Sequence, residues 1–233
     1  MPDNTTTKNT TKFYGRRKGK KLHATRQTAY DEVLPTIRID LPEKNTSLNP
    51  SSLFNTDVKE IWMEIGFGDG GNLAHMAQNN PDIGMIGCEP FINGVATLCR
   101  DISAHNITNI RVYPDDARQL MSFLPTASLA RIYLLNSDPW PKTRHHKRRF
   151  IQKDTLDEIH RLLQPEGLLR MSTDHPGLAA WEMEKTWAHP GFTWIANHAD
   201  DWRKRPAEMV ETRYQKKQMA GMAPVFMTFQ RNG

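Results

Sequence analysis

The stretch IWMEIGFGDGG, Ile61 to Gly71, reads as a buried strand, a glycine turn and the start of a helix. Ile61, Met63 and Ile65 alternate along the strand. Gly66, Gly68 and Gly71 then follow in the G-x-G-x-x-G spacing that lets backbone approach a nucleotide closely. Glycine turns also cap helices and close hairpins, so the pattern alone leaves a purely structural turn open.

Two acids narrow the reading. Glu64 lies two places before the first glycine, where a buried carboxylate is costly unless it meets a donor or a cation. Glu89 closes the next apolar run, Gly84 to Glu89, and stands about 20 residues past the glycines, where an acid can hold ribose hydroxyls. Such a site suits NAD or S-adenosylmethionine. A pyrophosphate is repelled by an acid beside the turn, whereas the ammonium group of S-adenosylmethionine is attracted to one, so Glu64 favours the methyl donor.

The full chain of 233 residues suits one domain with a sizeable core. Residues 1–12 offer little apolar surface to offset ordering and read as a disordered tail. Residues 13–55 read as a basic N-terminal extension and 56–233 as the main domain. In the extension, FYGRRKGKK (Phe13 to Lys21) mixes aromatics with Arg16, Arg17, Lys18, Lys20 and Lys21. That composition suits either a solvated tail or a strip lying on phosphate. A short helix is expected over 28–34, ending before Pro35, and a loop over 42–55. The net charge of +5 favours an anionic partner. Cys88 and Cys99 lack C-x-x-C spacing, so no disulfide framework or zinc site is implied and a reducing cytoplasm is expected. No run approaches the roughly 20 apolar residues of a membrane span, and a soluble protein is expected.

From Ile61 onward strands and helices alternate as in a mostly parallel sheet covered on both faces. Strands are predicted over 61–65, 84–89, 110–113, 129–136, 168–173, 192–197 and 225–230, the last two closing a mixed edge. Helices are predicted over 73–78, 91–104, 117–124, 150–163 and 176–188, with a turn at Pro165 to Gly167. Ligands of such sheets lie beyond the carboxyl ends of the strands, which makes Glu64, Glu89, Asp115, Asp116, Asp138, Thr173 and Asp174 neighbours of one crevice.

SDPWPKTRHHKRRF, Ser137 to Phe150, follows the fourth strand and is too polar for core. Its prolines stiffen the chain and present the carboxyl of Asp138 beside Trp140. Trp140 suits stacking on a base or buttressing the loop. Arg144 to Arg149 form an unbroken basic run, which fits a nucleic-acid substrate or a solvated face. His145 and His146 are adjacent, without an i, i+4 partner, so no metal site is read from them.

EIGFGDGGNL, GCEPFINGV, DDARQL, DPWPKTRHHKRRF, STDH and TRYQ occur here in the order and spacing of the bacterial tRNA (guanine-N7-)-methyltransferases, a family the chain resembles from Phe13 to Arg231. The resemblance implies an α/β, Rossmann-like class I S-adenosylmethionine-dependent methyltransferase acting on the variable-loop guanine at tRNA position 46. It implies that Glu64, Gly66, Gly68, Glu89, Asp116 and Asp138 contact the methyl donor, with Asp138 also catalytic. Lys142, Asp174, Thr212, Arg213, Tyr214 and Gln215 would contact tRNA, together with Arg144, Arg148 and Arg149 of the basic run. No obligate protein partner is expected. Two positions depart from the family pattern: Asn136-Ser137 stands in place of Phe-Pro, with Ser137 able to compensate by hydrogen bonding, and Gln215 replaces Glu. Methylation of an exocyclic amine, and a non-catalytic RNA-binding subunit, are the rival readings.

Overall fold

The computed structural model describes residues 13–211 and 221–233. Among these residues seven strands form one sheet in the order β3-β2-β1-β4-β5-β7-β6. They span β1 Glu60–Ile65, β2 Ile83–Cys88, β3 Ile110–Tyr113, β4 Leu129–Leu135, β5 Leu163–Thr173, β6 Phe192–Trp194 and β7 Val225–Arg231. The first five are mutually parallel, and β7 runs antiparallel between β5 and β6.

Alternation within β1 sends its side chains to two cores. Ile61, Met63 and Ile65 join Leu120 and Met121 of α4 (Ala117–Met121) and Leu156, Ile159 and Leu162 of α5 (Lys153–Leu162). Trp62 faces the other way, with Leu34 and Ile37 of α1 (Ala24–Ile37), Leu73 and Met76 of α2 (Gly71–Asn79) and Leu98 of α3 (Ile92–His105). A strand buried on both faces needs the near-continuous apolar run seen here. In α6 (Pro176–Trp187), Trp181 and Met183 pack against the first core. A short α7 (Asp200–Arg203) precedes β7. Among the described residues no helix is long and apolar enough to cross a membrane. Cys88 and Cys99 are free and buried.

Tertiary packing moves several boundaries away from the sequence reading. Helix α1 continues through Pro35 to Ile37, because Leu34 and Ile37 are buried and outweigh the lost backbone donor. The Thr36 hydroxyl donates to Val33 O at 2.8 Å and helps close this last turn. Ile39 N–H then donates to Val112 O at 2.8 Å beside β3, so residues of the extension share the core of the main domain. Helix α5 begins at Lys153 rather than Phe150, since Gln152 and Thr155 form a capping box. Strand β5 begins early. Leu163 pairs with Leu129 and Leu168 with Arg131, and the expected Pro165-to-Gly167 turn is the bulge between those pairs, with Glu166 at φ 64°.

Gly94, in the first turn of α3, fixes how closely the β1–α2 turn can approach. A Cβ there would collide with the Gly68 carbonyl, a backbone group that cannot swing away. Gly94→Ala is therefore expected to destabilise the fold by about 1–3 kcal/mol, as overpacking does. Thermal melting followed by circular dichroism checks this, and an unchanged Tm would mean that the turn yields without cost.

Candidate active site

The β1–α2 turn is built from left-handed backbone at Gly66 (φ 71°), Gly68 (φ 60°) and Gly70 (φ 80°). The third left-handed position is thus Gly70, the N-cap of α2, rather than Gly71, which is already helical. Among the described residues nothing lies within 4 Å of a Cβ placed on Gly66, so they leave the turn open on that side. It is held to the β2–α3 junction by Glu89, whose carboxylate accepts from Gly68 N–H at 2.8 Å and Phe91 N–H at 2.9 Å.

Glu64 lies on the α2 side of β1 and is only 2% exposed. Asn72 Nδ2, in the first turn of α2, donates to its Oε2 at 3.1 Å. Burial pushes the Glu64 carboxyl up to about 8; the Asn72 hydrogen bond opposes the rise, and the neighbouring acids Asp69 and Glu89 add to it. Burial also raises Glu89 despite its two backbone donors, and Asp138 pushes the same way. Asp138, just past β4, is reachable by solvent at the crevice mouth, yet protein surrounds it closely enough that burial raises its pKa as well. Among the described residues, the charged groups acting on Glu64 and Glu89 are acidic. Such a cluster is short of one thing, a cation, and a sulfonium with an ammonium group suits it.

Because β3, β2, β1, β4 and β5 are adjacent and parallel, the remaining acids follow in order along one edge. Asp115 and Asp116 follow β3. The Asp116 side chain caps α4 by accepting from Arg118 N–H at 3.1 Å and pairs with the Arg118 guanidinium, while Asp115 pairs with Arg17 at 2.8 Å. Asp174 follows β5 and is half-buried. A hollow of about 590 Å³ lined by residues 44–47, 122–126 and Arg161 lies elsewhere, by the start of β4 and the end of α5, away from these acids.

The basic run divides into two groups. Lys142, Arg144 and Lys147 are exposed. The Arg148 guanidinium sits 4.5 Å from the Tyr14 ring and 5.0 Å from that of Trp140, and Trp140 also meets the edge of His145. Arg149 departs from the expected phosphate contact. It is 4% exposed, and donates to Pro139 O at 2.9 Å and Gly177 O at 3.0 Å, because the loop must cover α6 and its carbonyls need donors. Thr212, Arg213, Tyr214 and Gln215 lie outside the described residues.

Three features escaped the sequence reading. Arg17 fastens the extension to Asp115, and its carbonyl accepts from Ile92 N–H at 3.0 Å. Asn72, a poor helix former in a first turn, was a readable signal for the Glu64 contact. Glu182 was another, since it shares the buried stripe of α6 with Leu178 and Thr186.

The chain matches a family model described as "Putative methyltransferase" over residues 58–227. It is 44% identical over 223 residues to the tRNA (guanine-N(7)-)-methyltransferase of Rhodospirillum rubrum, covering 94% of this chain and 88% of that one. The protein of the same name from Paramagnetospirillum magneticum is 43% identical, covering 94% and 92%. The chain belongs to the tRNA (guanine-N(7)-)-methyltransferase family. Its fold also resembles that of an antibiotic-related methyltransferase (TM-score 0.52, 14% identity, 85% of this chain and 98% of that one). An rRNA methylase from Streptococcus thermophilus gives TM-score 0.51 at 12% identity, covering 76% and 89%. The fold is accordingly the Rossmann-like class I methyltransferase fold, and S-adenosylmethionine is the methyl donor.

Glu64 makes stability depend on pH. Its folded-state pKa of about 8 lies above the ordinary value of 4.5, so folding favours the protonated form. The stabilisation is fully present below the ordinary value and is lost as pH rises through the folded one. In ligand-free protein, the Tm difference between Glu64→Gln and wild type should grow as pH rises from 4.5 toward 8 and then level off. A constant difference in scanning calorimetry would show that Glu64 does not take up a proton on folding.

Proposed function

We propose that the chain transfers the methyl group of S-adenosylmethionine to N7 of the variable-loop guanine at tRNA position 46, acting in the cytoplasm without a protein partner. The observation that carries this reading is the group of Glu64, Glu89 and Asp138 carboxyls beside a left-handed glycine turn, in a chain of this family. When bound, S-adenosylmethionine supplies an electrophilic methyl group on a positively charged sulfur.

The residues divide the remaining work. Glu64 and the Gly66 and Gly68 turn hold the amino-acid end of the donor, and Glu89 and Asp116 hold its nucleoside end. Lys142, Arg144, Arg148, Asp174 and Thr212 to Gln215 hold the tRNA. Arg149 is left out of that set because it is buried and two of its donors are engaged inside the protein. Guanine N7 has a free lone pair and no proton, so no general base is needed. Positioning can contribute up to roughly 7–11 kcal/mol. Asp138 opposes the positive charge that develops on the imidazole ring.

Purified protein, labelled S-adenosylmethionine and unmodified tRNA test the reading. Label at position 46, in a nucleoside whose glycosidic site is labile after borohydride treatment, is the expected product. A stable methylated exocyclic amine would replace the reading with the amine alternative, and no transfer by the protein alone would end the single-chain enzyme reading. Asp138→Ala should lose on the order of 10² to 10³ in kcat, typical of deleting one preorganised electrostatic group, with Asp138→Asn in between.

Salt dependence separates the two kinds of arginine. Arg144→Ala should flatten the slope of log affinity against log salt by roughly 0.7 to 1, the effect of one lost phosphate contact. Arg149→Ala should lower Tm and leave the slope alone. Equal slopes for Arg144→Ala and wild type would make the exposed run merely a solvated face.

A further inference from the structure

Asp138 is flanked by two residues that are each tied down on the protein side. Ahead of it, Asn136 adopts left-handed backbone (φ 51°) with its N–H donating to Ser172 O at 2.7 Å. Ser137 Oγ then donates to Glu182 Oε1 of α6 at 3.2 Å. Behind it, the Pro139 carbonyl accepts from Arg149 Nε, whose second donor reaches Gly177 O at the start of α6. The Arg149 guanidinium also lies 5.1 Å from the Trp181 ring, and Trp181 Nε1 donates to Ile151 O at 2.8 Å. Both clamps on the Asp138 loop therefore run to α6.

Glu182 is costly to keep. It is 1% exposed, and its Oε2 has no hydrogen-bond partner among the described residues. Among the described residues its hydrogen bond comes from Ser137, and that bond and the Arg149 charge only partly offset its burial, so the carboxyl is pushed up to about 8. Buried polar groups so poorly satisfied are often replaced by apolar ones without loss of stability. A leucine would suit the stripe formed by Leu178 and Thr186, so stability does not account for the acid.

We propose that Glu182 is a positioning residue for methyl transfer: through the Ser137 hydroxyl it sets the place of the Asp138 carboxyl, with Arg149 holding the other side of the loop. The inference rests on the assignment of Asp138 above. It also gives a role to Ser137, whose hydrogen bond to α6 stiffens the chain just ahead of Asp138. Glu182 touches neither donor nor guanine in this role, and acts by fixing geometry alone.

Single-turnover rates, S-adenosylmethionine and tRNA affinities and Tm, measured together, test this. Glu182→Leu should keep or raise Tm, leave both affinities within about twofold and lower kcat by about tenfold to a hundredfold, the scale of a small misplacement of a reacting group. Glu182→Gln, which retains an acceptor oxygen, should recover most of that loss. Ser137→Ala should match Glu182→Leu, and the double variant should be no worse than either single, because one contact is removed in all three. A folded Glu182→Leu with wild-type kcat, or losses that multiply in the double variant, would overturn the proposal. If Glu182→Leu fails to fold, wild-type kcat in Ser137→Ala overturns it equally. Asp138→Asn, run in parallel, keeps the two assignments apart. Impairment there with normal Ser137→Ala and Glu182→Leu removes the positioning role alone, whereas a normal Asp138→Asn removes both.

Discussion

Carboxyl groups held against their preference for water are the constraint around which this molecule is arranged. Glu64 and Glu89 lie at adjacent strand ends, largely out of solvent, each raised in pKa by burial and each acted on by further acids. The scaffold tolerates them because Asn72 and the backbone N–H groups of Gly68 and Phe91 point at their oxygens. The donors from Asn72 and Gly68 are in place only if β1 turns sharply into α2, which is why three left-handed glycines occur within five residues. The turn in turn requires Gly94 in the facing helix. Electrostatics, backbone conformation and packing are thus one set of dependencies converging on a place suited to a cation.

Much of this could be read from the chain. Alternation of apolar residues in 61–65 and the spacing of Gly66, Gly68, Glu64 and Glu89 gave the strand, the turn and the acids, since each reflects local geometry that sequence encodes directly. Boundaries were harder. Pro35 is a helix breaker by propensity, yet the burial of Leu34 and Ile37 against distant α3 prevails, and no local rule contains that contact. Within the site, the burial of Arg149 was the least legible feature. Within a run of six basic or histidine residues nothing local distinguishes the one that turns inward, because its partners, Pro139 O and Gly177 O, are carbonyls and leave no trace in side-chain pattern.

The segment after β4 consequently has two kinds of cation doing opposed things. Lys142, Arg144 and Lys147 stay in water, available to a polyanion, while Arg149 gives up hydration to hold the loop together. Arg148 lies between them, its guanidinium beside two aromatic rings, and through Tyr14 it joins the loop to the N-terminal extension. The extension and the loop therefore meet over the same edge of the sheet. That edge also holds Arg17 against Asp115, so the basic character of residues 13–21 is partly spent within the protein.

The order of the strands has a further consequence, for synthesis. Strand β7 is made after the other six strands of this sheet, yet it lies inside the sheet, between β5 and β6. Until Val225 to Arg231 arrive, β5 presents an open row of amide and carbonyl groups, and the three residues of β6 have no strand to pair with. A chain cut short before Val225 would hence retain every crevice acid named above but carry an unprotected edge of the kind that recruits other chains into aggregates. Protection of the β5 edge thus waits for the strand made after the others in the sheet, even though the crevice acids lie at the ends of the first five.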